Sequence, residues 1–352
     1  MAVTPQGLVT VNEGGTPILR PGFRCPFETA GAYRLVGGVP HVVREDFFQR
    51  TDGHLIEPLR DALLPFWRRV AGEVRSIRSD WLIFAQLDAF SAMTGGRFPP
   101  GMPERSVNAS HWYDFVTLMT KTFMYPVAID PFTGRTLSGH DEIEAHYAAQ
   151  LRRVKLAADS IAGGAPTLIG EFGIPFDLDG GSAYEAWAQG ARSPVLWSQH
   201  VTALDLMYNA LDRHLLSATQ WNYSASNRND AACADGWNQE DLSIFSRDQQ
   251  DQPSDPNSGG RAIEGFVRPY VRACQGVLTS MAFDRTTGDF RFAFDANPAV
   301  TAPTEVYLPP VQYPDDVVID APELAIHRSA VAPTVSFLAA RPGPHTVRIR
   351  RR

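Results

Sequence analysis

The chain has 352 residues, of which 44% are hydrophobic, 20% charged and 11% aromatic, as in a globular protein with a sizeable core. These values exclude a disordered, collagen-like or coiled-coil chain. The net charge is -7, and no long basic run occurs apart from the C-terminal Arg348, Arg350, Arg351 and Arg352. We therefore expect no nucleic-acid partner.

The sequence also lacks the patterns of several common sites. Its cysteines, Cys25, Cys233 and Cys274, form no CxxC pair, so neither a disulfide framework nor a structural zinc site is expected. No GxSxG, HExxH, GxGxxG or P-loop sequence occurs. We predict no metal and no cofactor. The first residues have neither a basic nor a continuous apolar segment, which predicts no signal peptide.

The chain begins with Gly- and Pro-rich sequence and then alternates between two periodicities. Residues 1–56 contain only short β-like segments and are expected to be irregular. Helical apolar spacing follows over residues 57–79, 141–161, 184–216 and 262–281. Short apolar runs of strand length lie at residues 81–87, 107–114, 166–173 and 217–224. Four strands that alternate with helices predict an α/β fold with a parallel sheet.

From residue 289 onward, short alternating strands separated by Pro, Gly and Asp predict a small antiparallel β-sandwich. We therefore divide the chain into residues 1–56, an irregular insertion-like segment of the first domain, residues 57–284, its helices and strands, and residues 285–352, the sandwich domain.

Polar and aromatic residues stand at the ends of the four predicted strands. They are Gln86 and Asp88 on the first strand, His111, Trp112 and Tyr113 on the second, Glu171 on the third, and Trp221 and Asn222 on the fourth. In a βα barrel the loops after the strands converge on one face, where the chemistry takes place. A carboxylate, an imidazole, a phenol and an indole in this arrangement are typical of a carbohydrate-cleaving site.

Each residue also has a structural interpretation. Glu171 leaves an apolar strand, where a functional site would explain its desolvation, but an ion pair would explain it equally well. His111 alone could be a core histidine, and Trp221 alone could be a core aromatic residue. His111 and Tyr113 leave the same face of a strand, so the phenol can hydrogen-bond a neighbouring carboxylate.

The segments NASHWYD, LIGEFG and ATQWNYS resemble, in this order, the sixth, seventh and eighth strands of glycoside hydrolase family five. Other segments, GAYRL, VREDFF, NRNDAACADGWNQEDLSIFSRD and GGRAIEGFVRPYVRACQG, resemble its endoglycoceramidase and glucosylceramidase branch. The resemblance implies a (β/α)8 barrel followed by a β-sandwich.

The resemblance also implies roles for particular residues. Glu171 corresponds to the catalytic nucleophile, Tyr113 to the phenol that positions it, His111 to the active-site histidine and Trp221 to the indole that stacks on sugar. We assign Asn222, Trp112 and Gln86 to substrate binding as well. The implied reaction is a retaining double displacement, which needs no metal.

The acid/base residue is not found in this sequence. The family carries it in an Asn-Glu-Pro sequence at the end of the fourth strand, and only the partial match Asn12-Glu13-Gly14 occurs here. Because a barrel needs eight βα units and only four are found, we expect the C-terminal half of a barrel plus the sandwich. A truncated reading frame, a split protein completed by another chain and an inactive descendant all explain this; truncation is favoured.

The leading hypothesis is a retaining hydrolase that cleaves the bond between sugar and ceramide or a related lipid. The alternatives are an endoglucanase on polysaccharide, a non-catalytic carbohydrate- or glycolipid-binding protein, and an interaction module without sugar affinity. The expected partners are a glycolipid or oligosaccharide substrate, presented at a membrane surface in the glycolipid case, and an N-terminal half of the barrel. The resemblance implies a secreted or membrane-associated protein, and a cytoplasmic location stays open.

Overall fold

The computed structural model describes residues 17, 19–230 and 240–352, and the backbone alone of residues 2–4 and 7–9. The chain divides into two compact units, Met1–Pro65 and Phe66–Arg352. In the part of the chain that the structure describes, no helix is long and apolar enough to cross a membrane.

The first unit consists of short elements, as its Gly- and Pro-rich sequence predicts. Its hairpins pair Ala2–Thr4 with Gly7–Val9, Tyr33–Val36 with Val39–Val42, and Arg50–Thr51 with His54–Leu55. One helical turn spans Pro26–Thr29, and a π-helical segment spans Pro58–Leu63. Glu13, the partial match to the acid/base motif, lies outside the described residues.

Four parallel strands form the part of the second unit that carries the predicted site. They are β1 (Ile83–Ala85), β2 (Ser106–Asn108), β3 (Leu168–Phe172) and β4 (Ser217–Gln220). β1 pairs with β2, β3 pairs with β4, and a parallel bridge between Asn108 and Thr167 joins the two pairs. The carboxyl ends of the strands therefore lie along one edge, and the predicted parallel arrangement is confirmed.

Helices alternate with these strands. The main ones are α1 (Leu64–Ile77), α2 (His140–Ala157), α3 (Leu178–Ala188) and α4 (Ser198–Asp212). α2 buries Ile143, Tyr147, Leu151 and Val154, a spacing that places apolar side chains on one face of a helix. Shorter elements are the helices Ala89–Met93, Phe115–Thr120 and Ile263–Phe266, the 3-10 turns Ala158–Ser160, Pro194–Trp197 and Arg247–Gln249, and the hairpin strands Val127–Ile129 and Thr136–Ser138.

The helix predicted over residues 262–281 is wrong. After the short helix Ile263–Phe266 the chain forms two strands, β5 (Tyr270–Ala273) and β6 (Gly276–Asp284). Pro269 and Gly276 lie within the predicted helix, and both residues disfavour a helix interior. The apolar spacing was compatible with either element, and the proline should have decided against the helix.

The C-terminal strands form two antiparallel sheets of four strands each. The remaining strands are β7 (Asp289–Ala296), β8 (Thr304–Tyr307), β9 (Val317–Asp320), β10 (Leu324–Arg328), β11 (Thr334–Ala339) and β12 (Gly343–Arg351). The strand orders are β5-β8-β11-β10 and β6-β7-β12-β9. Phe290, Phe292 and Phe294 alternate along β7 and pack in one buried cluster with Phe337 of β11. The predicted antiparallel sheets are confirmed, and β5 and β6 belong to them as well, so the sheets begin before the predicted limit at 284/285. The limit at 56/57 stays a prediction.

His200 on α4 gives the protein a built-in sensitivity to acid. Its ring is buried against Phe176, and its Nε2 atom lies 3.1 Å from the Phe176 carbonyl oxygen, to which the neutral ring can donate. Burial, together with the charge of Arg261, lowers the pKa of His200 to about 3. The unfolded chain therefore takes up a proton near pH 6.5 that the folded chain does not bind.

We expect the free energy of unfolding to fall by about 2 kcal/mol on this account between pH 6.5 and pH 5, because only the unfolded state gains the proton. The measurement is urea unfolding of wild type and H200Q at pH 7.5, 6.5 and 5. The variant should lack this part of the pH dependence, and H327Q, at an exposed histidine of β10, should keep it. Equal slopes for wild type and H200Q would contradict the assignment.

Candidate active site

Two of the predicted residues, Tyr113 and His111, contact the carboxylate of a third, Glu171. Glu171 leaves β3 with its side chain 28% exposed, and its Oε2 atom accepts a hydrogen bond of 2.9 Å from the Tyr113 hydroxyl. His111 Nδ1 lies 3.2 Å from the same oxygen. Both contacts are made to Oε2, so Oε1 is the oxygen of this carboxylate that they leave available to a substrate.

The Tyr113 hydroxyl is a permanent donor to Glu171. Burial raises the pKa of this phenol well above its usual range, and the hydrogen bond to Glu171 and the charges of Glu171 and Glu240 raise it further. The phenol therefore stays protonated and must act as donor, and a charged carboxylate is the better acceptor. This contact holds Glu171 in one orientation.

Two glycines explain why the GEFG segment surrounds Glu171. A Cβ atom on Gly170 would lie 2.4 Å from the Ala109 carbonyl oxygen and 3.0 Å from His111 Cδ2. A Cβ atom on Gly173 would lie 2.3 Å from the Trp221 carbonyl oxygen. Any side chain at these positions would push the neighbouring segments away, so the glycines let the segments that follow β2 and β4 approach Glu171 closely.

Backbone hydrogen bonds fix the same three segments beside one another. The Trp112 amide donates to the Glu171 carbonyl over 2.9 Å, and the Trp221 amide donates to the Phe172 carbonyl over 2.8 Å. Trp221 and Asn222, which follow β4, are half-buried and joined by a cis peptide bond. The structure thus brings Trp221 and Asn222 to the same edge of the sheet as Glu171, His111 and Tyr113.

Trp112 requires a correction. It is fully buried, its Nε1 donates to Gln150 over 2.9 Å, and its ring packs against Tyr147. Side chains alternate between the two faces of an extended chain, so Trp112 points away from the face that His111 and Tyr113 share. It is a core residue and not a substrate contact. Gln86 is exposed just after β1, two strands away from Glu171.

The sequence interpretation missed a second group of residues beside the site. Glu240 lies near enough for its charge to act on Tyr113. The next residue, Asp241, forms a buried ion pair with Arg261. No periodicity marks these residues, because they lie in loops, and the acidic Glu240-Asp241 pair was their only local signal. Among the described residues, no group of three or more His, Cys, Asp or Glu side chains is placed to hold a metal ion.

A known domain family matches the sandwich. Residues 268–349 match the glycoside hydrolase family 5 C-terminal domain, and these residues form the sandwich. This match and the similarity to a glucosylceramidase, a sterylglucosidase and an endoglycoceramidase confirm the resemblance to glycoside hydrolase family five, in its endoglycoceramidase and glucosylceramidase-like branch.

Known proteins are similar to this chain over most of its length. The glucosylceramidase of Cryptococcus neoformans var. grubii is 28% identical over 317 residues, which are 81% of this chain and 41% of the relative. The crystal structure of Cryptococcus neoformans sterylglucosidase 1 has a TM-score of 0.78 at 27% identity and is matched over 91% of this chain and 49% of its own. Endo-glycoceramidase II from Rhodococcus sp., at 16% identity and a TM-score of 0.54, shares the fold. The chain spans less than half the length of the two Cryptococcus proteins.

Proposed function

We propose that this chain carries the nucleophile half of a retaining glycosidase that acts on glycolipids. The observation that carries the proposal is the convergence of Tyr113 and His111 on one oxygen of Glu171 at the ends of adjacent parallel strands. Such a carboxylate is held in one orientation, and it keeps a second oxygen for attack.

The proposed reaction is a double displacement. Glu171 Oε1 attacks the anomeric carbon, the bond to the leaving oxygen breaks, and a glycosyl-enzyme ester forms. Water then attacks the same carbon from the opposite face and releases Glu171, so the configuration of the sugar is retained. Tyr113 and His111 hold Glu171 in line, Trp221 stacks on the sugar ring, and Asn222 and Gln86 bond its hydroxyls.

A retaining site also needs a second carboxylic acid about 5 Å from the nucleophile, to protonate the leaving oxygen and then to activate water. The sequence holds no Asn-Glu-Pro motif that would supply it. We propose that the four parallel strands are the C-terminal half of a (β/α)8 barrel that begins after residue 56, and that four further βα units contribute the acid. The match to 49% of the sterylglucosidase chain supports this proposal.

The proposed substrates are glycosides of ceramide or of a related lipid such as a sterol. The names glucosylceramidase and sterylglucosidase of the two Cryptococcus proteins support this substrate class.

A glucoside with a dinitrophenyl leaving group tests the reaction without the acid, because this group departs without a proton. We expect a burst of about one dinitrophenolate per chain, followed by slow turnover, because water is not activated. Azide needs no activation, so it should accelerate turnover and give β-glucosyl azide. A product of α configuration, or no burst from a folded chain, would contradict the proposal.

Protection experiments test the substrate class. Glucosylceramide or a steryl glucoside in detergent micelles should slow the burst, and cello-oligosaccharides at equal concentration should not. Empty micelles are the control. Protection by cello-oligosaccharides alone would favour the endoglucanase alternative.

Replacing Tyr113 with phenylalanine should lower the burst rate about a hundredfold, because a nucleophile out of line by a fraction of an ångström loses most of its reactivity. The melting temperature measured by circular dichroism should change little. Y223F, at an exposed tyrosine that follows β4, is the matched control and should keep the wild-type rate. A Y113F rate within twofold of wild type would remove Tyr113 from the site.

A glycolipid-binding protein without turnover is the second candidate, favoured by the missing acid/base motif. Calorimetric binding of a glycolipid headgroup together with no burst would support it.

A further inference from the structure

Arg261 and Asp241 form an ion pair that is fully enclosed by protein. Their side chains are 0% and 1% exposed, and the two guanidinium nitrogens Nη2 and Nη1 reach the carboxylate over 2.6 and 3.0 Å. The carboxylate also accepts hydrogen bonds from the Tyr184 hydroxyl, from Asn227 Nδ2 over 3.2 Å and from the Ser243 amide over 3.3 Å. Each of these contacts is a charge-assisted hydrogen bond, so few other arrangements of these side chains are possible in a buried site.

Three aromatic rings also pack against the guanidinium. Its Cζ atom lies 4.2 Å from the centre of the Phe176 ring, 5.6 Å from Trp197 and 5.8 Å from Tyr184. Phe176 stands in the loop that follows β3, and Trp197 stands just before α4. A planar guanidinium can stack on these rings and hydrogen-bond the carboxylate at the same time, which a lysine ammonium cannot do.

The pair anchors the segment 241–246, which runs along the end of β4. The Asn222 amide donates to the Leu242 carbonyl over 3.0 Å, and the Ile244 amide donates to the Asn222 carbonyl over 2.9 Å. The Arg261 amide in turn donates to the Ile244 carbonyl over 2.7 Å. Asn222 is therefore held on both its polar backbone groups by a segment that the ion pair fixes in place.

The same segment is tied to the end of β3. The Phe176 amide donates to the Asp241 carbonyl over 2.6 Å, and the Trp221 amide donates to the Phe172 carbonyl. One buried pair thus connects the loop after the nucleophile's strand with the residues that follow β4.

We propose that the Arg261–Asp241 pair is a positioning device that sets Trp221 and Asn222 relative to Glu171. This inference rests on the proposed function for its consequence in catalysis, but the coupling itself is a structural property. Glu240 immediately precedes Asp241, so the pair also sets the place of this carboxylate beside Tyr113.

The test uses R261K, which keeps the positive charge and loses the planar contacts. The protein is labelled with 5-fluorotryptophan, and the ¹⁹F signal of Trp221 is assigned with W221F. We expect the Trp221 signal to shift or broaden in R261K, while the signal of Trp67, which packs on Phe98, stays unchanged. R272K is the matched control, because Arg272 pairs with Glu305 on the surface of the sandwich; it should change neither signal.

A double-mutant cycle tests the consequence for the reaction. R261K should lower the dinitrophenolate burst rate about tenfold in the wild-type background and not further in the W221A background, because both changes remove one contribution. If R261K lowers the burst rate about tenfold in the W221A background as well, the positioning role is overturned, because a general structural defect would add to the effect of losing Trp221.

If R261K does not fold, Y184F takes its place, because it removes one hydrogen-bonding hydroxyl from the pair and keeps the ring; the same shift and the same non-additivity are expected. An unchanged Trp221 signal in a folded variant overturns the inference. If the Trp221 signal shifts in R261K but the wild-type chain shows no burst, the coupling is supported and the proposed reaction is refuted. The two failures are therefore distinguishable.

Discussion

Replacing Glu171 with glutamine should lower the rate of the dinitrophenolate burst by at least about a thousandfold, because an amide oxygen is a poor nucleophile in a reaction that forms a covalent ester. Glutamine has the same shape and can still accept the Tyr113 hydrogen bond, so the melting temperature should stay close to that of wild type. Stopped-flow absorbance of dinitrophenolate measures the rate.

Two further variants make this result specific. E185Q changes an exposed glutamate of α3 and should keep the wild-type burst. E171G opens space for azide, which can then displace dinitrophenolate directly in one step and give α-glucosyl azide. If E171Q keeps more than a tenth of the wild-type rate, or if azide gives the β product with E171G, the nucleophile is another residue.

Replacing Phe337 with alanine should destabilise the protein by about 3–5 kcal/mol, the usual loss for a large aromatic side chain removed from a core. Phe337 is fully buried on β11, and its ring meets Phe292 of the facing sheet edge-on at 5.7 Å. The alanine leaves a cavity at the centre of the cluster that joins the two sheets. Urea unfolding followed by circular dichroism measures the change in unfolding free energy.

Leu338 provides the control for this prediction, since it is the next residue on β11 and is 42% exposed. L338A should cost less than about 1 kcal/mol. A similar loss for F337A and L338A would mean that the sandwich does not owe its stability to the buried aromatic cluster.

Periodicity predicted the elements that position the site. Alternating apolar runs and helical spacing located β1 to β4, and the parallel arrangement then placed Glu171, His111 and Tyr113 at neighbouring strand ends. The same alternation rule also implies that Trp112 points away from the site, as the structure has it. The assignment of Trp112 to substrate binding overlooked a consequence of the rule that correctly paired its neighbours.

Other features depend on contacts that a single sequence does not reveal. Asp241 and Arg261 lie twenty positions apart in the sequence, and only the folded path of the chain brings them together. The strands β5 and β6 were missed for a different reason, because their apolar residues fit a helical spacing and only Pro269 and Gly276 indicated otherwise. Local pattern therefore placed Glu171 at a strand end, whereas the loops that support it required the structure.

We propose that the residues of this chain alone assemble a reactive nucleophile at Glu171. The most direct measurement is the intact mass of the chain after incubation with a 2-deoxy-2-fluoro glucoside that carries a dinitrophenyl leaving group, followed by peptide mapping. We expect a mass increase of one fluorosugar, located on Glu171 and absent in E171Q. A label on another residue, or no label on a chain that circular dichroism shows to be folded, would contradict the claim.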